Sequence, residues 1–312
     1  MPVDCLKSID CVLQGGLGNQ IFQFCAAAKL YQDLGAFELI LNTRLFSDNY
    51  RLPDLLRIVD NLPESREEYP ESPFSKCLKK IGLNQYNDNL SGLKSGIFRI
   101  SDQINCPSRS FISATSRLSK KLKLRSFKTT KILLSGFWQD PRLHENIHLL
   151  SNHWLRIDDK KIDSKLPKNY VAIHVRRGDY TDNLNNAIAY CSRYSQLSYI
   201  LTSIKILPSE YKNLPIIVCS DDPDWCCIWI QSLKNNGHNI THSQSQSSID
   251  DWLIINRSLV SIIPNSTFSF TAAWLNRSNL SNKLRVILPQ WYDRKMTMQE
   301  KGWESIPGAY AI

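Results

Sequence analysis

Hydrophobic and polar positions follow two periods along this chain. The apolar run "DCVLQ" is broken by "GGLGNQ", and then "IFQFCAAAKLYQDLG" places Ile21, Phe22, Phe24, Cys25, Ala28 and Leu34 near helical spacing, with Gly35 as a stop. A second extended run, "FELILN", completes a β–loop–α–β opening of the doubly wound kind. Residues 43–130 lose this regularity, are rich in Ser, Asn and Lys, and read as helices and loops capping one lobe. A strand returns at "KILLSGFWQD".

After the polar link "RIDDKKIDSKLPKN" the alternation restarts. Strand "YVAIHV", a helix over 187–206, strand "LPIIVCSDD", a helix over 223–234 and the short strand "HNITH" follow in turn. Helix "SSIDDWLIINRS", strand "LVSIIPN", helix "STFSFTAAWLN" and strand "LRVILP" close the series. Two αβ sets joined by a polar link predict an α/β protein of two Rossmann-like lobes facing a cleft, residues 1–164 and 165–312.

Composition narrows the class. Of 312 residues, 42% are hydrophobic and 21% charged, as in water-soluble globular proteins. No run approaches the roughly 20 apolar residues of a membrane span. The N-terminus lacks a basic segment leading into an apolar one, so the expected location is the cytoplasm. Nine cysteines form neither C-x-x-C pairs nor a Cys/His cluster at zinc spacing, which predicts reduced thiols and no metal site. Six N-x-S/T sequons, at Asn89, Asn239, Asn256, Asn265, Asn276 and Asn279, are what an Asn- and Ser-rich chain produces by chance.

The net charge is +9, and the stretch from Arg117 to Lys131 holds no acid. Such a run is commonly a solvated face; its functional reading is attraction of an anionic substrate or surface. Nucleic acid is the weaker partner, because the stretch has one aromatic and no recognised module around it. Membrane association is not indicated.

Four motifs carry chemistry. "GGLGNQ" follows a strand and opens a helix like a dinucleotide fingerprint, but Ile21 stands where the third glycine belongs and would hinder close helix–strand packing. A tight glycine turn is the plain reading. The other is a loop bringing the Asn19 and Gln20 amides to a polar ligand such as a sugar. "HVRRGDY" leaves a strand with two arginines, a pattern that suits phosphate oxygens. Alternation puts His174 and Arg176 on one face and Arg177 on the other. One arginine can reach a ligand while the other ties to a carboxylate, for which Asp179 is nearest. "SDDPDW" holds Asp222 and Asp224 in a metal-binding order, yet Asp222 before Pro223 reads better as a helix cap. "IPNSTFSFTAAW" sets Asn265, Ser266 and Thr267 at a helix start, either as an ordinary cap or as a phosphate site without metal. Asp250 and Asp251 lie one helix and one strand upstream.

Taken in order, "GGLGNQIFQF", "GFWQ", "HVRRGDY", "SDD" and "NSTFSFTAAWLN" resemble the motifs of α-1,2-fucosyltransferases, glycosyltransferase family 11. The resemblance spans residue 12 to about 290. It implies a GT-B-like fold, with a last helix packing back on the first lobe, and transfer of L-fucose from GDP-β-L-fucose to the 2-hydroxyl of a terminal galactose. Transfer would invert the anomeric carbon and need neither metal nor other cofactor.

The same resemblance implies roles. Arg176 would hold the pyrophosphate, with His174 lining the pocket and Arg177 and Asp179 supporting it. Asn265, Ser266 and Thr267 would cradle phosphates, and Asp251 would read guanine. Asn19, Gln20 and Gln139 would face fucose or the acceptor. The base that takes the acceptor proton is unassigned among Asp140, Glu145 and Asp179. One departure stands out: the family usually shows paired tryptophans where this chain has Phe270–Thr271. Two readings compete with fucosyl transfer: a transferase of another GDP-sugar or linkage, and a catalytically silent glycan- or nucleotide-binding protein.

Overall fold

The computed structural model describes residues 8–34, 38–43, 45–46, 54–60, 65–66, 97–101, 131–139, 156–157, 166–181, 196–245, 247–276, 286–289 and 309–311. The chain forms two compact units, Met1–Ile157 and Asp158–Ile312.

The first unit is built on a parallel sheet. Its elements are β1 (Ser8–Val12), α1 (Leu17–Leu34), β2 (Glu38–Asn42), α2 (Leu55–Ile58), β3 (Val59–Asp60), β4 (Ser65–Arg66), β5 (Ile97–Ser101), β6 (Lys131–Ser135) and β7 (Arg156–Ile157). Five strands run parallel in the order β4-β2-β1-β6-β5, while β3 and β7 form a separate antiparallel pair. All five β1 residues are buried, Ser8 and Asp10 among them, and Ser8 Oγ donates to Asp10 Oδ1 at 3.1 Å. Residues 20–28 of α1 are buried all round, with Ala26, Ala27 and Ala28 small enough to let neighbouring elements close in.

One expectation is corrected here. Within residues 43–130, read as helices and loops, the structure places strands β4 and β5, which complete this sheet. A two-residue strand and a five-residue one inside a polar, Ser- and Lys-rich stretch leave too little periodic signal to separate from loop.

The second unit is a six-stranded parallel sheet. Its elements are β8 (Val171–Val175), α3 (Gly178–Thr181), α4 (Gln196–Ile206), α5 (Ser209–Lys212), β9 (Ile216–Ser220), α6 (Pro223–Asn235), β10 (Ile240–His242), α7 (Ser248–Arg257), β11 (Val260–Ile262), α8 (Thr267–Trp274), β12 (Val286–Leu288) and β13 (Ala309–Ala311). The order β10-β9-β8-β11-β12-β13 is 3-2-1-4-5-6 in order of appearance, the dinucleotide-fold order. Val171, Ile173, Val175, Val218 and Ile262 pack with Tyr199, Ile204, Trp229 and Ile230 into one core. Strand order reverses between β8 and β11, so a crevice opens there at the carboxyl edge.

Among the described residues no helix is long and apolar enough to cross a membrane. Five described cysteines are free thiols, and burial pushes the Cys25 and Cys219 thiols well up. Of the sequon asparagines, Asn256, Asn265 and Asn276 are buried, which closes them to glycosylation in the folded chain. The basic run over 117–130 and the segment expected to form the last helix lie outside the described residues.

Candidate active site

The second unit assembles its site by strand register. Parallel pairing sets Val175 opposite Ser220, so the chain leaving β8 as Arg176–Arg177 runs beside the chain leaving β9 as Asp221–Asp222. Each arginine takes the carboxylate alongside it. Arg176 Nη1 donates to Asp221 Oδ2 at 2.6 Å, and Arg177 Nε donates to Asp222 Oδ2 at 2.7 Å. Asp221 Oδ1 also accepts from the Arg177 backbone N–H at 2.7 Å. Gly178 makes room for this arrangement, since a Cβ there would stand 2.7 Å from Asp221 Oδ2.

The two arginines differ in what surrounds them. Arg177 is enclosed: Nη1 donates to Gln196 Oε1 at 3.0 Å, and the guanidinium carbon lies 4.4 Å from the Trp225 ring centroid. Its partner Asp222 caps α6, accepting from the Trp225 N–H at 3.1 Å with Pro223 following, so the cap reading of "SDDPDW" holds. Hydrogen bonding from Arg177, then from the Trp225 N–H, holds the Asp222 carboxyl below its ordinary pKa. The carboxylate expected for Arg177 was Asp179. Strand register brings Asp222 to Arg177. Asp179 lies in the single turn α3, and its side chain is outside the described residues.

Across the switch point, Ser266 is the cap residue of α8 but its hydroxyl makes no cap hydrogen bond. Asn265 and Ser266 are buried and Thr267 half-buried at this helix start. His174, buried near the end of β8, sits with its ring 5.2 Å from that of Phe268 in the first turn of α8. Its Nδ1 is buried without a hydrogen-bond partner. Burial, and then the Arg176 charge, press the His174 pKa down to about 3. The imidazole is therefore neutral at physiological pH.

Asp250 and Asp251 part company. Asp250 belongs to the α7 cap, its N–H donating to Ser247 Oγ at 3.2 Å while Ser247 Oγ donates to its Oδ2 at 2.8 Å. Asp251 turns inward and accepts from Ser245 Oγ at 2.6 Å. Burial raises its pKa, while hydrogen bonds from Ser245, Ser243 and Cys219 pull the other way.

In the first unit the corresponding edge carries "GGLGNQ" and "GFWQ". Gly15 has φ +74, and a Cβ on it would come within 2.8 Å of Asn19 Nδ2. Gln139 Nε2 donates to Asn19 Oδ1 at 2.8 Å, joining residues 120 positions apart. Gln20, expected to face a sugar, is instead fully buried. Its Nε2 donates to Gly15 C=O at 2.8 Å and its Oε1 accepts from the Leu55 N–H at 2.9 Å. A buried amide must satisfy both ends, and here the backbone of this unit does so. Gln23 holds Gln14 similarly, through both backbone groups.

Asp221, Gln196 and Gln23 were missed from sequence. Asp221 was within reach through "SDD", since pairing the ends of "YVAIHV" and "LPIIVCS" sets it against Arg176. The Phe270–Thr271 pair is interior: both are buried, Phe270 stacks on Trp274 at 6.2 Å, and Thr271 Oγ1 accepts from Trp252 Nε1 at 3.2 Å.

The family model described as glycosyl transferase family 11 matches residues 8–306. The chain belongs to that family. It is accordingly a glycosyltransferase. Two Escherichia coli proteins are similar along nearly their whole length. The alpha-1,2-colitosyltransferase is 25% identical over 308 residues, covering 91% of this chain and 92% of its own. The O-antigen biosynthesis glycosyltransferase WbnK is 26% identical over 306 residues, covering 90% and 93%. Among solved structures, a mutant of Arabidopsis thaliana FUT1 in complex with GDP matches with TM-score 0.54 at 10% identity, over 93% of this chain and 71% of that one. At that identity the likeness speaks for the fold, which is α/β and GT-B-like, with a Rossmann-type sheet in each unit of this family 11 chain.

Proposed function

We propose that this family 11 enzyme transfers L-fucose from GDP-β-L-fucose to the 2-hydroxyl of a terminal galactose in a glycan, giving an α-1,2 linkage with inversion and without metal or other cofactor. The observation that carries this reading is the switch point of the second unit. There Arg176 leaves β8 and the start of α8 follows β11, on the two strands between which the order reverses.

The chemistry follows from charge. Breaking the sugar–phosphate bond leaves an oxocarbenium-like sugar and a diphosphate gaining negative charge. Arg176, braced by Asp221, supplies fixed positive charge, and the α8 start adds backbone N–H groups with the Ser266 and Thr267 hydroxyls. Asp222 is engaged by Arg177 and by the α6 N-terminus, which favours a structural role over metal binding. Neutral His174 serves as a hydrogen-bonding wall of the donor pocket. Asp251 would accept from the N1–H and 2-amino group of guanine. Inversion in one displacement needs a base at the acceptor hydroxyl. The side chains of Asp140, Glu145 and Asp179 all fall outside the described residues, and that role stays open.

The test is incubation with GDP-fucose and lactose in EDTA, following GDP release and product linkage. An α-1,2-fucosylated product supports donor, reaction and metal independence together. Absence of both GDP release and GDP binding would overturn the reading. A second donor is favoured by the relative named for colitose, which is the 3-deoxy form of L-fucose. Faster turnover of GDP-colitose than of GDP-fucose would replace fucose in the proposal.

A further inference from the structure

We propose that Tyr199 is a positioning residue for the donor site: its hydroxyl replaces a strand hydrogen bond that Pro289 cannot make, and so fixes where the chain leaves β11 for the start of α8. The inference rests on the reading of that helix start as a wall of the diphosphate site, and adds the residue that holds the wall in place.

The need for such a residue follows from register. β11 and β12 pair in parallel, with Ser261 opposite Val286 and Ile262 opposite Ile287. One residue on, the Ile263 N–H donates to Ile287 C=O at 2.9 Å. In a parallel ladder the C=O of that same residue accepts from an N–H two positions past the one its own N–H has bonded. That position is Pro289, which has no N–H. A buried carbonyl left without a donor is costly. Tyr199 takes the vacant place: its hydroxyl donates to Ile263 C=O at 2.7 Å, with Ile287 C=O 3.1 Å away. Its side chain is fully buried in the core that also holds Val260, Ile262 and Ile287.

What Tyr199 holds lies next to the site. Only Pro264 and Asn265 separate Ile263 from Ser266, the cap residue of α8, and the Ser266 N–H donates to Pro264 C=O at 2.8 Å. With φ fixed at Pro264 and the turn closed, that link has little slack. A shift of Ile263 is therefore passed on to the Ser266 and Thr267 hydroxyls and to the first N–H groups of α8. The same helix also holds the opposite wall. Gln196, one turn before Tyr199 on α4, accepts from Arg177 Nη1 at 3.0 Å, and its Nε2 donates to Arg176 C=O at 3.4 Å. The first turn of α4 thus ties the exits of β8 and β11 to one support.

Tyr170 supplies a matched control. Its hydroxyl also donates to a backbone carbonyl at 2.7 Å, that of Ile254, and it is equally buried, but it stands just before β8, at the amino edge of the sheet. Tyr199→Phe and Tyr170→Phe each remove one buried hydroxyl and keep the ring. Both should lower Tm. Tyr199→Phe alone should weaken GDP binding in calorimetry, by about fivefold, the fold-change of one neutral hydrogen bond, because the ligand must then order the segment itself. KM for GDP-fucose should rise with it. Adding Pro289→Ala to Tyr199→Phe supplies the missing N–H and should return most of the GDP affinity. Equal GDP affinity in the two single variants, or a loss that Pro289→Ala does not reduce, overturns the inference. If Tyr199→Phe does not fold, the double variant decides: recovered folding and GDP binding support the inference, and no recovery overturns it. A wild-type protein that binds no GDP brings down the donor-site reading itself, a failure separate from equal GDP binding by the two variants.

Discussion

Arg176 and Asp221 meet at 2.6 Å across the ends of two neighbouring parallel strands, and the contact is possible because Gly178 has no side chain. The pair is partly exposed, at 36% for Arg176 and 28% for Asp221, so its direct contribution to stability is small, under about 1 kcal/mol. On the proposed reading its value lies in orientation, since the bond to Asp221 holds the guanidinium in place for a diphosphate. Arg176→Ala should therefore leave Tm nearly unchanged while lowering transfer by on the order of 10²–10³. Arg176→Lys should recover little, because an ammonium lacks the planar fork. Most activity surviving in Arg176→Ala would remove this residue from the donor site.

Gly178→Ala offers a milder version of the same test. The added methyl meets Asp221 Oδ2 head-on, so the carboxylate must shift away from both Arg176 and the Arg177 N–H. Weaker GDP binding is expected, with KM for the donor rising more than kcat falls. Unchanged donor KM would show that Asp221 does not orient Arg176.

Arg177 should behave oppositely to Arg176. Its bonds to Asp222 and Gln196 and its place over Trp225 tie the β8 exit to α4 and α6. Replacing it with Ala should lower stability by about 1–2 kcal/mol, from a lost cation–π contact and two polar contacts, partly screened by solvent. Thermal unfolding checks this. A variant with wild-type Tm but weakened GDP binding would return Arg177 to direct donor contact.

The difference between these arginines shows where sequence reading stopped. The period of "YVAIHV" and "LPIIVCS" was enough to place two buried parallel strands, and the polar tips beyond them were enough to mark a site. That Asp221 and Asp222 reach these arginines depends on strand register, a long-range property that adjacency in "RRGD" does not carry. Gln20 failed for a related reason. In "GGLGNQ" the Asn19 and Gln20 amides look equivalent, and only the approach of Leu55 from α2, 35 residues away, buries one of them. Strands β4 and β5 were hidden because their own residues are too few to set a period against polar surroundings.

Burial of His174 gives folding a pH signature. Unfolded, His174 takes a proton near pH 6.5; folded, it refuses one until about pH 3. Between those values the unfolded chain binds more protons. Stability is thus full above about 6.5 and falls as pH drops toward 3, by at most about 1.4 kcal/mol per pH unit. His174→Phe should flatten that acid loss in pH-dependent chemical denaturation. An imidazole that titrates near pH 6.5 by NMR would contradict the burial.

On the proposed reading Asp251 acts on guanine binding. Its pKa is raised by burial, so the carboxylate takes up a proton at a higher pH than an ordinary aspartate. Guanine recognition needs the unprotonated acceptor. GDP affinity should then drop as pH falls through that raised value, with ADP, which lacks the guanine donors, showing no matching drop. Asp251→Asn should reduce the preference for GDP over ADP about tenfold or more, since one acceptor becomes a donor. Calorimetry with both nucleotides decides it, and an unaltered preference would sink the assignment.

The Phe270–Thr271 departure should concern packing and leave acceptor choice alone. Thr271 Oγ1 accepts from Trp252 Nε1 and itself lies within hydrogen-bonding distance of the Thr267 and Phe268 carbonyls, so it satisfies a buried indole where a tryptophan side chain would leave no oxygen. Thr271→Val keeps the volume and strands that N–H, at a cost of about 1–3 kcal/mol. Tm should fall while donor and acceptor KM stay put. Thr271→Trp inserts a large ring into a fully buried site between α7 and α8, and overpacking of this kind costs about 1–3 kcal/mol or more. A changed acceptor KM in the Val variant, at unchanged stability, would place Thr271 in recognition of the acceptor.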